Sequence, residues 1–160
     1  MTGSSPEAQV ASEQAQERVY VVDDDLSVRE ALSSLIRSVG LQVETYPSAA
    51  AFLEAPREPR VACLILDVRM PGLSGLELQA RLAQSGASLP IIFITGHGDI
   101  PMAVRAIKKG AVEFLAKPFR DEDLLSAICG ALAVSRSTLQ VESEIGAIRR
   151  RYALLTAREK

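Results

Sequence analysis

The chain has 160 residues, of which 48% are hydrophobic and 24% charged, and its net charge is −2 at neutral pH. This length suffices for one well-buried domain with a segment left over, and the nearly balanced charge argues against a general nucleic-acid-binding surface. The longest apolar runs have the length of strands, so we predict no membrane-spanning segment.

The N-terminal segment is rich in Ser, Ala, Gln and Glu and lacks the apolar stretch of a signal peptide. We therefore predict a disordered tail over residues 1–18 and a cytoplasmic protein. The two cysteines, Cys63 and Cys129, lie far apart and fit no metal-binding pattern. We expect both to be small buried hydrophobes, and a single histidine makes a zinc site of the usual kind a poor hypothesis.

From Val19 onward, short β-branched and apolar runs alternate five times with helical patterns. This alternation predicts βαβ units and a parallel, doubly wound α/β sheet. The predicted helices lie at about residues 26–39 and 48–54, and others begin near residues 75, 99 and 121. Two prolines make the segment 55–60 a loop.

Helix starts are marked by capping residues. Ser74 and Glu77 have the spacing of a capping box, so we expect the third helix to begin at Gly75. Asp99 and Asp121 are the predicted N-caps of the fourth and fifth helices.

The fifth helix has no evident end in the sequence. Its apolar positions recur at alternating spacings of three and four, which is a heptad seam. The seam consists of Leu124, Ala127, Ala131, Val134, Thr138, Val141, Ile145, Ile148, Tyr152 and Leu155. A lone amphipathic helix lying on the domain is the alternative, but we expect no further element for it to pack against after Ala133. We therefore predict a continuous, projecting linker helix over residues 134–155 that pairs with a second copy.

Polar residues follow four of the five predicted strands. Asp23 and Asp24 follow the first strand, Asp67 the third, Thr95 the fourth and Lys117 the fifth. The carboxyl ends of parallel strands border the crevice in which α/β sheets bind ligands. Three carboxylates in one crevice repel one another unless a cation lies among them. With a hydroxyl and a lysine added, the pattern indicates a divalent metal and a phosphoryl group.

The chemistry of these residue types suggests a role for each. Mg²⁺ takes a few carboxylates and keeps several waters, which favours Asp24 and Asp67 as direct ligands and Asp23 as a ligand through water. Asp67 is the candidate nucleophile, because a carboxylate can form an acyl phosphate if the charge on the transferring oxygens is neutralised. Mg²⁺ and Lys117 would supply that neutralisation. Any one of these residues alone would be read as a helix cap, a strand-end hydroxyl or a surface lysine, so the hypothesis depends on the combination.

Four motifs occur in this order: Val-Val-Asp-Asp-Asp at 21–25, Leu-Asp-Val-Arg-Met-Pro-Gly at 66–72, Ile-Thr-Gly-His-Gly-Asp at 94–99 and Ala-Lys-Pro-Phe at 116–119. Together they resemble the receiver domain of two-component response regulators over about residues 19–133. The segment from Thr95 to Phe119 is similar to the FixJ subgroup, which includes regulators of nitrogen fixation and aromatic catabolism. The resemblance implies a flavodoxin-like (βα)5 fold with a five-stranded sheet and a long C-terminal helix.

The resemblance also implies roles for site residues. Asp67 would accept a phosphoryl group from a sensor histidine kinase, and Asp23 and Asp24 would form the acidic pair that binds Mg²⁺. Arg69 would offer its backbone carbonyl to the metal. Lys117 would bind phosphoryl oxygens and, as in the family, would precede Pro118 through a cis peptide.

Further implied roles concern switching. Thr95 would also bind phosphoryl oxygens, and Phe114 occupies the position of the family's aromatic switch residue. Phosphorylation would then promote homodimerisation through the fourth helix and fifth strand, residues 99–116, and through the linker helix. His97 and Arg69 lie where the family tunes the lifetime of the phosphoryl group, but exposed loop residues are an equal alternative.

The last six residues, 155–160, are similar to the opening of a helix-turn-helix output domain. We therefore assign residues 156–160 to the start of a truncated output domain and expect DNA binding only through the missing part. The chain is then either a trimmed regulator or a stand-alone receiver. Three arginines at 149–151 could touch DNA, but a solvated flank of the linker helix is the simpler explanation.

Two other functions compete with the signalling switch. A phosphatase-like enzyme with an Asp nucleophile would carry a second Asp two residues later, where this chain has Arg69. A nucleotide- or flavin-binding domain would have a glycine-rich phosphate loop after the first strand, where this chain has Asp23 and Asp24. We therefore predict a phosphorylation-controlled regulator rather than a turnover enzyme.

Overall fold

The structure is a computed structural model. It describes residues 17–57, 59–86, 88–96 and 100–158, and the side chains of these residues up to 151 except that of residue 143. The predicted tail therefore falls largely outside the described residues, as do His97 and Asp99.

Five parallel strands form a single sheet. They are β1 (Arg18–Val22), β2 (Gln42–Tyr46), β3 (Ala62–Asp67), β4 (Ile91–Thr95) and β5 (Glu113–Ala116). The order across the sheet is β2-β1-β3-β4-β5, which is the flavodoxin-like doubly wound order. The predicted fold class is therefore confirmed, and β3 lies in the middle of the sheet.

Five helices connect and follow the strands. They are α1 (Leu26–Ser38), α2 (Ala49–Glu54), α3 (Gly75–Gln84), α4 (Ile100–Lys108) and α5 (Asp121–Arg158). The predicted start of α3 at Gly75 is confirmed, because the Ser74 hydroxyl accepts a hydrogen bond from the Glu77 amide at 3.2 Å. Asp121 is not the cap of α5 but its first residue, where its negative charge is favourable beside the helix N-terminus.

The central strands are buried on both faces, as parallel sheets require. Alternate residues along β3 point to opposite sides. Leu64 and Leu66 pack under α2, α3 and α4 together with Phe52 and Phe93. The opposite face packs under α1 and α5; its buried residues include Val21, Cys63, Ile65, Ile92, Leu124 and Ile128. The sheet thus forms a rigid layer between two apolar cores.

Two predicted assignments are wrong at the level of single residues. Arg18 is the first residue of β1 and Glu17 is only 5% exposed, so both belong to the folded domain rather than to the tail. Cys63 is buried as expected, but Cys129 is exposed. The reason is helical phase, because Ile128 takes the position that faces the sheet and its neighbour is turned away from it.

The helix α5 is continuous over 38 residues, which confirms the prediction of an unbroken helix beyond Ile148. The first residues of the predicted seam serve the domain core, since Leu124 and Ala131 are fully buried. Val134, Val141, Ile145 and Ile148 are between 43% and 64% exposed, and we call them the outer stripe. The side chains of Tyr152 and Leu155 lie outside the described residues.

Within the described residues no further strand or helix follows α5, as expected, but residues of α5 beyond Ala133 still contact the domain. Ser135 is only 2% exposed, and Arg136 forms an ion pair with Glu17.

The helix α5 is also long and apolar enough to cross a membrane by length and composition alone. Its residues Leu124 and Ile128, however, are fully buried against the sheet, so part of this apolar surface belongs to the core of the domain.

Candidate functional site

Three carboxylates meet at the carboxyl end of the sheet. Residues Val22 and Leu66 are paired in register across β1 and β3, so Asp23 and Asp67 leave the two strands side by side. One oxygen each of Asp23, Asp24 and Asp67 lies within 4.8 Å of the others. A cluster of this size and chemistry could hold a metal ion, and hard divalent cations prefer carboxylate oxygens.

The electrostatics of the cluster favour a cation. Asp23 is fully buried and Asp67 is 8% exposed, whereas Asp24 is exposed. Burial raises the pKa of Asp67, and the negative charge of Asp23 raises it further. A hydrogen bond from the Arg69 amide and the charge of Lys117 act in the opposite direction without cancelling the effect. A divalent cation would remove this repulsion, so the residues present fit such an ion.

Lys117 reaches the cluster from the end of β5. Its Nζ lies 3.4 Å from Asp23 Oδ2 and 3.9 Å from Asp67 Oδ2. Its backbone amide donates to the Thr95 carbonyl at 2.7 Å, which fixes the turn after β5 against the end of β4. The Lys117-Pro118 peptide is cis, as predicted. The ammonium group is thus held between the two buried carboxylates.

Only one aspartate of the run 23–25 acts as a helix cap. Asp25 accepts hydrogen bonds from the amide and the hydroxyl of Ser27, and the first of these caps α1. The Asp25 amide in turn donates to Asp23 Oδ1 at 2.9 Å. Arg29 donates to the Asp23 carbonyl at 2.6 Å. Asp24, between Asp23 and Asp25, is exposed, and one of its oxygens belongs to the acidic cluster.

The loop after Asp67 is held by backbone contacts. The Arg69 amide donates to Asp67 Oδ1 at 3.2 Å, and the Val68 amide donates to the Ile94 carbonyl at 3.1 Å. A Cβ atom at Gly75 would lie 2.5 Å from the Asp67 carbonyl oxygen. The start of α3 therefore approaches the backbone of Asp67 so closely that only glycine fits without displacement.

The predicted switch residues lie on neighbouring strands. Thr95 ends β4 and is 1% exposed. Phe114 on β5 is partly buried, and its ring centroid lies 6.3 Å from that of Phe93. Arg69 is exposed apart from its backbone contact, and His97 lies outside the described residues.

Two polar contacts were not predicted from the sequence. One is the contact from Arg29 to the Asp23 carbonyl. The other is Gln79, which is 4% exposed and donates to the Ala106 carbonyl at 3.1 Å, so that it links α3 to α4. The available signal for Gln79 was a polar residue beside Leu78 on the apolar face of α3.

The family model of the response regulator receiver domain matches residues 19–129 of this chain. The chain belongs to the response regulator receiver family. This receiver is 53% identical over 142 residues to the response regulator protein TmoT of Ectopseudomonas mendocina, a match that covers 89% of the chain and 64% of TmoT. It is 45% identical to the transcriptional regulatory protein FixJ of Azorhizobium caulinodans, over 89% of the chain and 67% of that protein.

Solved structures agree with this assignment. The response regulator StyR superimposes with a TM-score of 0.82 at 48% identity, covering 87% of this chain and 70% of StyR. The receiver therefore has close relatives that are regulators of transcription, and receivers of two-component systems work with histidine kinases. The chain spans less than two thirds of TmoT, so an activity of a whole regulator is a proposal for this chain.

Proposed function

We propose that this receiver accepts one phosphoryl group on Asp67 from a sensor histidine kinase, with Mg²⁺ held by Asp24, Asp67 and the Arg69 carbonyl and by Asp23 through water. The observation that carries the proposal is the cluster of three carboxylate oxygens within 4.8 Å beside Lys117. In this proposal the receiver is the cytoplasmic, phosphorylation-controlled part of a transcription regulator.

The proposed transfer forms one bond to phosphorus and breaks another. An oxygen of the Asp67 carboxylate forms a bond to phosphorus, and the bond from phosphorus to the donor histidine nitrogen breaks, leaving that nitrogen to take a proton from water. Asp24, Asp67 and the Arg69 carbonyl would hold Mg²⁺, which would supply positive charge to neutralise the transferring oxygens. Lys117 adds a second positive charge, since its Nζ already lies 3.9 Å from Asp67 Oδ2. Thr95, at the end of the neighbouring strand, would donate its hydroxyl to a phosphoryl oxygen.

The added group would act as a switch. A phosphoryl group brings about −1.5 to −2 charges and three acceptor oxygens at Asp67. Movement of Thr95 towards these oxygens would open space beside β4 that Phe114, packed near Phe93, could fill. A packing change of this kind has two states rather than a continuum, and it would alter the surface formed by α4 and β5.

That surface carries apolar residues suited to a homodimer. On α4, Ile100, Val104 and Ile107 are 79%, 46% and 44% exposed. The outer stripe of α5 is a second exposed apolar surface. Apolar groups in such runs favour association, so we infer that phosphorylation strengthens a parallel dimer through both surfaces. DNA would be bound only by an output domain joined beyond this segment.

The phosphatase-like alternative gains no support from the site. Arg69 occupies the position that a second catalytic aspartate would take, and its side chain is exposed. We therefore infer at most slow autodephosphorylation and no turnover of external phosphate esters. The named relatives are regulators, which agrees with this inference.

Incubation with acetyl phosphate and Mg²⁺, followed by intact-mass measurement, tests the assignment. We expect one added phosphoryl group in the parent protein and none in Asp67→Asn. Asp25→Asn, altered in the cap of α1 but not in the cluster, is the matched control and should still be labelled. Labelling of Asp67→Asn to the parent level would refute the role of Asp67, and repeated turnover of a chromogenic phosphate ester would favour an enzyme.

Sedimentation of the phosphorylated and unphosphorylated forms tests the dimer. We expect association to increase on phosphorylation and to weaken in Ile148→Ser, which removes a member of the outer stripe. Arg150→Ser, two residues further along the same helix, should sediment like the parent. A monomer at high concentration in both states would contradict the proposal.

A further inference from the structure

The first part of the linker is fastened to the amino end of the sheet, opposite the candidate site. Three residues from distant parts of the chain contact three residues of α5 there. We call this set the amino-end clamp; it consists of Glu17, Ala62, Ser88, Ser135, Arg136 and Glu142.

An ion pair forms the outer part of the clamp. Arg136 donates from Nε to Glu17 Oε1 at 2.6 Å and from Nη2 to Glu17 Oε2 at 2.9 Å. This two-bond geometry is the strongest arrangement available to an arginine and a carboxylate. Glu17 is 5% exposed, and a carboxylate buried to that extent requires such a partner. The pair therefore fixes α5 to the residue that precedes β1.

A buried hydrogen bond forms the inner part. The Ala62 amide donates to Ser135 Oγ at 3.1 Å, and Ser135 is 2% exposed. Ala62 is the first residue of β3. Buried amides are almost always paired, and the Ser135 hydroxyl is the acceptor for the Ala62 amide at the start of the strand. Further along α5, Ser88 donates to Glu142 Oε1 at 3.0 Å on the surface, where a contact contributes less.

The clamp and the outer stripe use different sides of α5. At about 100° per residue, the buried positions Leu124, Ile128 and Ser135 lie on average about a quarter of a turn away from Val134 and Ile145. The helix can therefore remain bound to its own receiver while the outer stripe contacts a second copy. One helix carries an intramolecular and an intermolecular surface.

The clamp is also remote from the candidate site along a single strand. Ala62 and Asp67 are the two ends of β3, separated by about 17 Å at 3.3 Å per residue. The residues between them are fully buried. No clamp residue contributes to the acidic cluster among the residues that the structure describes.

We propose that the amino-end clamp holds α5 on the receiver as far as Glu142 in both the unphosphorylated and the phosphorylated state. Phosphorylation then changes pairing at the α4 and β5 surface and does not release the linker. The statement about the phosphorylated state rests on the function proposed above, whereas the statement about the clamp does not.

Hydrogen exchange of the unphosphorylated protein tests the clamp itself. Arg136→Met keeps the aliphatic stem but removes the guanidinium, and Ser135→Ala removes the acceptor of the Ala62 amide. We expect each to raise exchange over residues 134–142 by about tenfold, because a buried partner is left unpaired in each case. Arg150→Met, on the exposed distal helix, is the matched control and should leave these rates unchanged.

The outcome is readable even if a variant loses stability. Exchange in β3 and β4 reports global unfolding, so a local effect must appear at 134–142 with these strands still protected. Unchanged exchange at 134–142 in both variants would overturn the clamp. Equal acceleration throughout the sheet would also overturn it as a local device.

Hydrogen exchange of acetyl phosphate-treated protein tests whether the amino-end clamp persists after phosphorylation. Intact mass first establishes how much protein carries a phosphoryl group, so a failure of the proposed phosphorylation is seen separately. With labelling complete, we expect protection at 134–142 to remain within about twofold while that of α4 changes. Loss of protection at 134–142 on phosphorylation would overturn the proposal and would mean that the linker is released.

Discussion

Buried carboxylates have opposite surroundings at the two ends of the sheet. At the carboxyl end, Asp23, Asp24 and Asp67 meet, and the charge of Lys117 does not prevent the pKa of Asp67 from being raised. At the amino end, Glu17 is paired through two hydrogen bonds with Arg136. The same strand, β3, connects the two ends.

This difference separates a site that needs a ligand from a contact that is complete. Repulsion among carboxylates raises the free energy of the folded protein until a cation binds, so the carboxyl end is poised to respond to ions and phosphoryl groups. The amino end has its opposite charge built into the chain. Clustered and paired carboxylates can therefore be used to distinguish a functional end of a sheet from a structural one.

The largest effect is expected for Lys117→Met. If Lys117 stabilises the transferring oxygens, the initial rate of phosphorylation by acetyl phosphate should fall by about a hundredfold, as when a preorganised charge is removed from an active site. Intact-mass time courses measure this rate. Lys108→Met, in the exposed last turn of α4, is the control. An unchanged rate in Lys117→Met would mean that this lysine only neutralises charge, as Arg136 does.

The close approach at Gly75 should give the next effect. In Gly75→Ala the new Cβ would lie 2.5 Å from the Asp67 carbonyl oxygen, and overpacking of this kind costs about 1–3 kcal/mol of unfolding free energy. Mg²⁺ affinity should also fall, since the Asp67 backbone must shift. Urea unfolding and Mg²⁺ titration measure the two effects.

Gly130 in α5 provides the matched control, because no atom outside the adjoining residues and the local helix backbone lies within 4 Å of the position that a Cβ would take there. Gly130→Ala should stabilise the protein by up to about 1 kcal/mol through helix propensity. Equal stability of the two alanine variants would show that the backbone of Asp67 can shift at little cost in free energy. The carboxyl end of the sheet would then not be closely packed.

Neutralising a carboxylate should change the free energy of unfolding in opposite directions at the two ends of the sheet. Because the pKa of Asp67 is raised, the folded state binds its proton more readily than the unfolded state, and ionisation above that pKa destabilises the fold. Asp67→Asn should therefore raise the free energy of unfolding by about 1 kcal/mol near neutral pH without Mg²⁺. This gain should shrink as the pH falls through the pKa of Asp67, because the Asp67 side chain of the parent protein then also becomes neutral.

Glu17→Gln should instead lower the stability near neutral pH, since it breaks a paired, buried group. Urea unfolding with and without Mg²⁺ gives both signs, and Mg²⁺ should remove the advantage of Asp67→Asn. Destabilisation by Asp67→Asn in the absence of Mg²⁺ would contradict the comparison of the two ends.

The smallest effect is expected at Cys129. This residue is exposed, so Cys129→Ser should change the unfolding free energy by less than about 0.5 kcal/mol. Cys63 lies in the middle of β3, and burial raises the pKa of its thiol to about 12. A thiol reagent should therefore label Cys129 rapidly and Cys63 only on unfolding. Rapid labelling of Cys63 would show that the layer between the two ends opens.

The carboxyl end was accessible to sequence reasoning because its polar residues stand where predicted strands stop. Asp67 and Lys117 follow apolar runs whose ends are visible in the sequence, and parallel strands must bring those ends together. The cis peptide before Pro118 followed from the family resemblance. Such signals are local, even though the contacts they imply are not.

The amino end carried no comparable signal. Glu17 and Arg136 are separated by 119 positions, and a glutamate before a strand or an arginine on a helix is usually a surface residue. The helix α5 also carries two apolar stripes with different phases, and a single heptad pattern covers both. This explains why the pattern places Leu124 and Ile145 in one seam although one is buried and the other exposed.

The unbroken course of α5 from Asp121 to Arg158 makes the orientation of any segment joined to its far end depend on the length of the helix. Each residue inserted after Glu142 would turn that segment by about 100° and move it by about 1.5 Å. Seven inserted residues would nearly restore the original orientation, whereas four or three would turn it by roughly 40° or 60° from it. Chimeric regulators joined along this helix should therefore depend on the length of the junction modulo seven, and a junction placed before Ser135 would lose the anchor against which the rotation is set.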